Sequence, residues 1–388
     1  MPWEAVDVLN RRQEFALRSI APNENFSALC REFGISRKVG YKWKQRFLSK
    51  GIEGLADESR RPASCSHALN EEAVCRIVKL KHAHPSWGPR KIRAVFARTY
   101  AEAELPSESS FKRVLSKAGL VKRCLRRKSE ASGRIENRVA AERPNQVWTV
   151  DFKGWWRTGD RSRFEPLTVR DAYSRFILCA QALGDARSDS VRLAFERLFA
   201  ARGLPEVIRS DNGSPFACSS SPLGLTRLSA WWLVLGVDLD RIAPGRPDQN
   251  GAHERMHRDI AWELERDAAE SLGAQQAALD VWRREYNEER PHEALGLKVP
   301  AEFYKRSLRK YSDSEVALTY PAELLVRRVS TTGEIRLHNQ RVLISSALRG
   351  WDVGLRRETP RRYGLWFGRQ RLGEVDLEVR KFTPVQRG

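Results

Sequence analysis

Three acidic residues stand in local settings that suit metal-dependent chemistry. Asp151 lies in an apolar, β-rich run, Asp211 precedes Asn-Gly, and Glu254 belongs to a helix-like segment. A carboxylate inside an apolar strand is costly to bury unless a cation compensates its charge. Carboxylate oxygens suit Mg²⁺ (or Mn²⁺), and two such ions roughly 3.5 to 4 Å apart support phosphoryl transfer. A mid-strand Asp, a strand-end Asp and a helix-borne Glu can meet at one sheet edge, so the sequence predicts a site for two metal ions.

Taken singly, two of these acids also fit structural roles. The Asp-Asn-Gly segment at Asp211 is a common turn, because Asp and Asn tolerate turn geometry and Gly supplies positive φ. Glu254 fits a first-turn acid that complements a helix dipole. Asp151 is the hardest to explain structurally, since no cation in its strand obviously pairs with it. The metal-site hypothesis therefore depends most on Asp151.

A rival motif overlaps the third acid. The segment His253-Glu-Arg-Met-His257 matches His-Glu-x-x-His, in which two histidines bind Zn²⁺ and the Glu is the general base of a peptidase. A zinc site would also need a third ligand, for which Glu263 or Glu265 could serve. This alternative leaves Asp151 without a role.

The net charge narrows the class of partner. The chain has 388 residues, enough for about two to four domains. Its formal charge is +20, and its 69 Lys and Arg residues are spread over the whole length. Such an excess favours nucleic acid over membrane, because Lys and Arg displace counterions from phosphates. A basic surface that serves only solubility is the alternative.

Cysteine usage and hydropathy indicate the compartment. The six cysteines form no Cys-x-x-Cys pair, which is typical of reduced thiols in a cytosolic protein. No stretch approaches the roughly 18 apolar residues of a membrane span, and the N-terminus lacks a signal-peptide layout. We therefore expect a soluble, cytoplasmic protein.

Residues 1–60 are predicted to form a helix-turn-helix unit. A helix-like stretch around Trp3 to Ile20 and a second helix lead to Gly34, which marks a turn. Ser36 then fits the N-cap of a helix that runs to about Lys50. The second helix of such a unit enters the major groove of DNA.

The pattern of that helix separates a core face from a charged face. Val39, Trp43 and Phe47 recur every four residues and predict its core stripe. Four basic side chains fall on other faces and are candidate DNA contacts: Arg37, Lys38, Lys42 and Arg46. A small helical bundle with a solvated charged face is the alternative.

A second helix-turn-helix-like unit is predicted for residues 68–121. Asn70 fits a helix N-cap, and Gly119 fits a helix C-cap. The segment Leu105-Pro106-Ser107, placed before a basic helix, resembles the entry to a recognition helix. We expect this unit to bind DNA as well.

Residues 122–144 are predicted to be a basic linker. Seven basic and two acidic residues lie between Lys122 and Arg138. Such a segment should be extended and able to follow a phosphate backbone. Its candidate DNA contacts are Arg126, Arg127 and Lys128.

From residue 145 to 305 the pattern alternates between strands and helices. Val147 to Phe152 is predicted as a strand, and the run from Leu167 to Ala180 as two strands joined by a turn at 171–175. A helix at about 188–202, a strand at 206–210, a further helix and strand, and the helix with Glu254 follow. This succession predicts an α/β core with a mixed sheet.

Short strand candidates separated by turn residues fill residues 320–388. Regular spacing of this kind predicts a C-terminal small β-barrel. Its interleaved Arg, Tyr and Trp residues suit nucleic acid and an ordinary barrel surface almost equally well.

Four ordered motifs carry a resemblance to a known family. They are Thr149-Val-Asp151, Ile208-Arg-Ser-Asp-Asn-Gly213, Pro244-x-x-Pro247-x-x-Asn250-Gly251-x-x-Glu254, and Tyr286-Asn-x-x-Arg290-Pro-His-x-Ala-Leu295. Together they resemble the catalytic core of bacterial insertion-sequence transposases of the retroviral-integrase superfamily. The resemblance covers about residues 145–304.

This resemblance implies a multidomain chain with a ribonuclease-H-like core, in which Asp151, Asp211 and Glu254 are a DDE triad that binds two Mg²⁺ (or Mn²⁺) ions. It implies cleavage of element ends and their joining to target DNA by a homo-oligomer. The helix-turn-helix units would bind terminal inverted repeats, and the protein would be nucleoid-associated. Residues implied to shape the site or to lie near the DNA are Asn212, Gly213, Asn250, Gly251, His253, Arg255 and Arg258.

The chain departs from the family pattern at two points. Forty-two residues separate Asp211 from Glu254, more than is usual, and the excess is expected in the segment from Cys218 to Leu225. The family tends to carry a basic residue where this chain has Ala261, and Arg258 is the expected substitute. A DNA-binding regulator with an inactive core is therefore a further hypothesis.

Overall fold

The computed structural model describes residues 8–58, 69–121, 139–219, 221–243, 247–312 and 317–385. The chain divides into two compact units, Met1–Ala68 and Leu69–Gly388. None of the described helices combines the length and the apolar character that crossing a bilayer requires.

The first unit is a bundle of three helices in helix-turn-helix order: α1 (Val8–Ser19), α2 (Phe26–Glu32) and α3 (Arg37–Lys50). The hydroxyl of Ser36 accepts the amide N–H of Val39 at 3.3 Å, which confirms the predicted N-cap. Phe15, Leu29 and Trp43 are buried in the core of this unit. Residues before Val8, including the start of the first predicted helix, lie outside the described residues.

The predicted core stripe of α3 is wrong at one position. Val39 is exposed, whereas Gly40 and Trp43 are buried. A Cβ on Gly40 would lie 2.6 Å from Sγ of Cys30, so α3 approaches α2 too closely for any side chain there. Trp43 and Phe47 of the predicted stripe do pack in the core, and Gly40 takes the place of Val39 in the buried face.

The second unit begins with three further helices, α4 (Glu71–Ala83), α5 (Pro89–Thr99) and α6 (Glu108–Lys117). Asn70 caps α4 by accepting the amide of Ala73 at 2.8 Å, as predicted. Gly119 follows α6 with φ of 70°, which confirms the predicted glycine at its C-terminus. Trp87, Phe96 and other apolar side chains form a core of their own.

The central sheet contains six strands: β1 (Val147–Phe152), β2 (Trp156–Arg157), β3 (Arg163–Asp171), β4 (Ile177–Leu183), β5 (Val207–Ser210) and β6 (Asp238–Arg241). Strands β2, β3, β1, β5 and β6 are neighbours in that order, and β4 pairs with β3. β1 is antiparallel to β3 and parallel to β5, which confirms the predicted mixed sheet.

Four helices cover the two faces of this sheet: α7 (Ser188–Arg202), α8 (Arg227–Val234), α9 (Gly251–Ile260) and α10 (Leu272–Glu288). Side chains alternate between faces along each strand. Trp148 and Val150 therefore pack with α7 and α8, and Thr149 contacts His253 of α9 on the opposite face. Asp151 follows Thr149 at the same period and also faces α9. A π-helical turn, Ala261–Glu265, continues α9.

The helical block α4–α6 contacts the core through α10 and the residues after it. His84 lies 3.2 Å from Glu285, and the guanidinium of Arg98 donates to the carbonyl of Glu289 at 2.9 Å. Arg290 is 2% exposed and forms ion pairs with Asp259, at 2.8 Å, and with Glu263. These charges come from α9, the π-helical turn and the segment after α10, so Arg290 joins three parts of the core.

The C-terminal region contains seven strands: β7 (Leu325–Arg328), β8 (Glu334–Leu337), β9 (Gln340–Leu343), β10 (Asp352–Arg357), β11 (Arg362–Phe367), β12 (Gln370–Asp376) and β13 (Lys381–Pro384). Five of them form an antiparallel sheet in the order β13, β12, β11, β10, β7, and β8 pairs with β9 in a hairpin.

The predicted small β-barrel is not confirmed. Among the described strands, β7 and β13 are the two edges of the five-stranded sheet and do not pair with each other, so no closed barrel forms. The hairpin contributes Ile335 and Val342 to a core shared with the sheet. An open sheet and a separate hairpin therefore bury the apolar residues that the sequence pattern assigned to a barrel.

The segment between β5 and α8 is part of that C-terminal core. Leu225 is 2% exposed and packs with Ala230 and Val234 of α8 against the C-terminal strands. The hydroxyls of Ser221 and Ser345 lie 2.9 Å apart. The segment in which extra length was expected therefore carries the contact surface for the C-terminal region.

Candidate active site

Asp151 lies on the central strand of the sheet. Its strand pairs with β3 on one side, where Asp151 is opposite Thr168, and with β5 on the other. The pairing with β5 is parallel, with Thr149 opposite Arg209. Because the carboxyl ends of parallel strands meet at one edge, Asp211, which directly follows β5, lies beside Asp151.

Asp211 is held in a bend with little room around its carboxylate. A Cβ on Gly213 would lie 2.9 Å from Oδ2 of Asp211, so the absence of a side chain at 213 opens that space. Asn212 donates to the carbonyl of Ile242 at 2.7 Å, which ties the bend to the end of β6. Oδ1 of Asp211 is buried and accepts no hydrogen bond from the described residues. A buried carboxylate oxygen without a partner is costly unless a cation binds it.

Glu254 lies in the first turn of α9 and is exposed. Two hydrogen-bonded side chains hold this end of the helix to the sheet. The guanidinium of Arg170 donates to the carbonyl of Ala252 at 2.9 Å, and Nδ1 of His253 lies 2.9 Å from the hydroxyl of Thr149. The helix thus presents Glu254 on the side of the sheet where Asp151 lies.

The electrostatics of Asp151 link the three acids. Burial, followed by the negative charge of Asp211 and that of Glu254, raises the pKa of Asp151 from 3.8 to about 7. Like charges raise the pKa of a carboxyl only when they are close to it. The structure therefore places Asp211 and Glu254 near enough to Asp151 for their charges to act on its carboxyl, and a shared metal site stays a prediction.

These carboxylates suit a divalent cation by two independent features. Asp211 has an oxygen that no described residue hydrogen-bonds, and the surroundings of Asp151 disfavour its charged carboxylate; a cation would relieve both. Among the described residues, no three His, Cys, Asp or Glu side chains already stand close enough together to hold a metal ion. The chemistry of the donor set fits Mg²⁺ or Mn²⁺, which take carboxylate oxygens and keep several waters.

The two histidines of the His-Glu-x-x-His segment serve a different purpose from the one in a zinc peptidase. His253 is fully buried, with Nδ1 at 2.9 Å from the hydroxyl of Thr149 and Nε2 at 2.7 Å from that of Thr168. Both of its ring nitrogens are therefore engaged. Of the suggested third ligands, Glu263 pairs with Arg290 and Glu265 binds Lys153 at 2.9 Å. The arrangement does not support zinc binding by this segment.

Burial also sets the protonation of these histidines. It lowers the pKa of His257 to about 3, with smaller contributions from Lys153 and Arg170, and it lowers the pKa of His253 well below its ordinary value. Both imidazoles are therefore neutral. The side chain of His253 is buried between α9 and the sheet, and its predicted nearness to bound DNA stays a prediction.

The other predicted contacts lie in several places. Asn250 is buried at the start of α9, whereas Asn212, Arg255 and Arg258 are exposed. In the first unit Arg37, Lys38 and Lys42 are exposed, and Arg46 forms an ion pair with Glu58. Arg126, Arg127 and Lys128 lie outside the described residues. DNA contact by the exposed residues stays a prediction.

Sequence reasoning missed three residues around the acids. Thr168 is opposite Asp151, Lys153 binds Glu265 near the end of β1, and Arg170 packs beneath α9. Each acts on a partner distant in the sequence, so no local motif indicates it. Predicting the position of Thr168 opposite Asp151 requires the strand register between β1 and β3.

Comparisons with protein families agree with this architecture. Residues 141–247 and 235–300 match the family described as integrase core domain. Residues 11–63 match a helix-turn-helix domain, and residues 39–115 match a homeodomain-like domain. The integrase-core matches together contain Asp151, Asp211 and Glu254.

Individual relatives come from bacterial insertion elements. The chain is 29% identical over 235 residues to an uncharacterised 31.7 kDa protein of insertion element IS407 from Burkholderia multivorans, which covers 60% of this chain and 81% of that protein. It is 30% identical over 188 residues to an uncharacterised protein of insertion element IS136 from Agrobacterium tumefaciens, covering 45% of this chain and 90% of that protein. Among solved structures, the catalytic core domain of HTLV-2 integrase in complex with magnesium aligns over 43% of this chain and 100% of that chain, at 15% identity and a TM-score of 0.34.

Proposed function

Because this chain belongs to the integrase-core family of bacterial insertion-element transposases, we propose that it cleaves and joins DNA with Asp151, Asp211 and Glu254. The single observation that best supports the assignment is Oδ1 of Asp211, which lies at the end of the strand paired with that of Asp151 and is buried without a hydrogen bond from any described residue. A buried carboxylate oxygen left unsatisfied next to a second carboxyl with a raised pKa indicates a functional site. In this proposal the protein is a DNA transposase of the DDE type.

The reaction has two steps on phosphodiesters. Water attacks the phosphodiester at an element end, and the bond from phosphorus to the 3′-oxygen breaks to leave a 3′-hydroxyl and a 5′-phosphate. This 3′-hydroxyl then attacks a phosphodiester of target DNA in line and displaces the target's 3′-oxygen, which leaves as a hydroxyl. The three carboxylates would hold two Mg²⁺ (or Mn²⁺) ions, which supply charge stabilisation to the attacking and leaving oxygens. The chain's own contribution would be to fix the positions of the acids, and two features support this: β1 pairs in parallel with β5, which Asp211 follows, and Glu254 lies in the first turn of α9.

The DNA partner follows from charge and from the helical units. A formal charge of +20 favours a polyanion, and the exposed basic residues of α3 are suited to a DNA groove. We propose that the helical units bind the terminal repeats, with Arg255 and Arg258 near the cleaved strand. Pairing of two element ends requires a multimer, so we expect a homo-oligomer.

The decisive experiment is cleavage of DNA by the purified full chain. Its substrate is a labelled duplex carrying the end of the element that encodes this protein, with Mg²⁺ or Mn²⁺ present. Wild type should nick the duplex at the element end, and Asp211→Asn should not. Asp189→Asn is a matched control, because Asp189 is an exposed acid in the first turn of α7, and it should cleave normally.

Two outcomes would overturn the proposal. Cleavage by Asp211→Asn at the wild-type rate would remove Asp211 from the site. Tight binding of the duplex by wild type without any metal-dependent cleavage or joining would instead make the protein a DNA-binding regulator with an inactive core.

Metal binding can be tested without activity. A ligand that binds only the folded state raises stability by RT ln(1 + [L]/Kd), about 2.7 kcal/mol at 100 times Kd. Mg²⁺ should therefore raise the melting temperature of wild type, and it should raise that of Asp211→Asn less. Equal shifts in both proteins would contradict binding at these carboxylates.

A further inference from the structure

One buried hydroxyl lies at the junction of the strands and the helix that carry the acids. Oγ1 of Thr168 lies 2.9 Å from the backbone carbonyl of Asp151, 2.7 Å from Nε2 of His253 and 2.8 Å from Nε2 of His257. Thr168 is fully buried. Its partners therefore come from β1 and from α9, and its own strand is β3.

The chemistry of a hydroxyl decides the direction of each of these bonds. A hydroxyl has one hydrogen to donate and two lone pairs that accept. The carbonyl of Asp151 can only accept, so it takes the hydrogen of Thr168. The imidazoles of His253 and His257 must then both donate from Nε2. All three hydrogen bonds of the Thr168 hydroxyl are thus satisfied, and both neutral imidazoles carry their proton on Nε2.

The remaining ring nitrogens are acceptors. With its proton on Nε2, His253 accepts at Nδ1 from the hydroxyl of Thr149 at 2.9 Å, a shorter contact than the 3.4 Å from that hydroxyl to the carbonyl of Arg170. This is a second bond from the helix to β1. Nδ1 of His257 carries a lone pair and lies 3.9 Å from Oδ2 of Asp151. A chain of bonds therefore runs from β1 through His253 to Thr168 and back to the backbone of Asp151.

The two histidines flank Glu254 on α9, one residue before it and three residues after it. Both turn toward the sheet, while Glu254 is exposed. Any rotation or sliding of α9 that moved Glu254 away from Asp151 would break the bonds of His253 and His257 to Thr168. Broken bonds here leave buried polar groups unsatisfied, which opposes such movement.

We propose that Thr168, His253 and His257 are positioning residues that fix the distance between Glu254 and Asp151. This inference rests on the proposed function, because it assigns these residues a role in the reaction of those two acids. None of the three residues is a catalytic residue in this proposal. They act through the helix and the strand that they join.

Two replacements of Thr168 test this role, one that removes the hydroxyl and one that keeps it. Thr168→Val keeps the β-branched shape and removes the hydroxyl, and it should lower the rate of DNA cleavage by about 10- to 100-fold, the usual effect of losing a group that orients a metal ligand. Thr168→Ser restores the hydroxyl and should cleave at close to the wild-type rate. The affinity for the DNA duplex should be unchanged in both, since Thr168 is buried.

Ser229→Ala is the matched control for the loss of a buried hydroxyl. Ser229 is fully buried in α8, and its hydroxyl accepts the amide of Thr226 at 2.8 Å, on the opposite side of the sheet from α9. This variant should cleave normally at a temperature where it and Thr168→Val are both folded. Normal cleavage by Thr168→Val beside an active wild type would overturn the positioning role, as would a rate loss of equal size in Ser229→Ala.

A spectroscopic measurement tests the junction independently of activity. In protein labelled with ¹⁵N-histidine, the imidazoles of His253 and His257 should both show the neutral Nε2–H tautomer, and Thr168→Val should shift both signals. An Nδ1–H tautomer at either position would overturn the junction even if the enzyme is active. If wild type fails to cleave DNA, the proposed function fails, while the histidine spectrum still supports or overturns the junction by itself.

Discussion

Helix α9 and the turn after it contribute to two clusters of charged side chains that differ in how their charges are compensated. In the acid cluster, Asp151, Asp211 and Glu254 are like charges, and one oxygen of Asp211 has no hydrogen-bond partner among the described residues. In the Arg290 cluster, the buried guanidinium is paired with Asp259 and Glu263. Compensated charge holds the fold together, and uncompensated charge marks where a ligand must complete the structure. Removing a charge should therefore keep or raise the free energy of unfolding in the acid cluster and lower it in the Arg290 cluster.

The largest effect is expected on catalysis in the acid cluster. Glu254→Gln keeps the shape of the side chain and removes its charge. Several kcal/mol of transition-state stabilisation would be lost, so the rate of DNA cleavage should fall by about 1000-fold or more. The free energy of unfolding should stay the same or rise, because a repulsive charge near Asp151 is gone. A folded Glu254→Gln protein that cleaves at the wild-type rate would show that DNA cleavage does not need the charge of Glu254.

The next effect is on stability in the Arg290 cluster. Arg290→Met leaves Asp259 and Glu263 without their cation, and the free energy of unfolding should fall by about 3 to 5 kcal/mol. Urea denaturation followed by circular dichroism measures this. The triple variant that adds Asp259→Asn and Glu263→Gln is the control, and it should recover most of the loss. A triple variant as unstable as Arg290→Met would show that packing, and not charge, is what Arg290 supplies.

A third, smaller effect is the pH dependence of stability. Since the pKa of Asp151 rises from 3.8 to about 7 on folding, the folded protein keeps a proton that the unfolded chain releases within that interval. The contribution of Asp151 to the free energy of unfolding is therefore fully present below about pH 4 and is lost as the pH rises towards about 7. Without divalent metal, Asp151→Asn should gain stability relative to wild type across this interval. Urea midpoints at both ends of the interval would measure the gain, and a constant difference would refute the shift.

The smallest effect is expected on DNA binding, at a charged residue outside both clusters. Arg258 lies on α9, one turn beyond Glu254, and is exposed. If it contacts a phosphate, Arg258→Ala should weaken DNA binding at low salt and reduce the slope of log K against log salt concentration by about 1. Folding stability should be unchanged. An unaltered salt slope would exclude a phosphate contact by Arg258.

Local sequence signals were sufficient for several helix ends and for the strand that carries Asp151. An N-cap at Ser36, a terminal glycine at 119 and the apolar run around Asp151 each depend on neighbours within a few residues, and the structure confirms the elements they predicted. The order of the four motifs then indicated the family. Local chemistry and motif order together were enough to propose one site for Asp151, Asp211 and Glu254, and that assignment stays a prediction.

What sequence reasoning missed depends on residues that are far apart in the chain. The partners of Thr168 are 17, 85 and 89 residues away, and Arg290 finds its acids 31 and 27 residues away. Strand register and helix docking decide such pairs, and neither has a local signature. The barrel prediction was not confirmed for the same reason, because a sequence pattern of strands does not show whether the first and last strands pair.

The contact of Leu225, Ala230 and Val234 with the C-terminal strands has a consequence for how such genes recombine. Those three side chains belong to the catalytic core, yet the strands from Leu325 onward cover them. A shortened protein that ended before these strands would expose this apolar surface to water and would tend to aggregate. Exchange of segments between related elements would yield a soluble chain only if the segment before α8 and the C-terminal strands were inherited together.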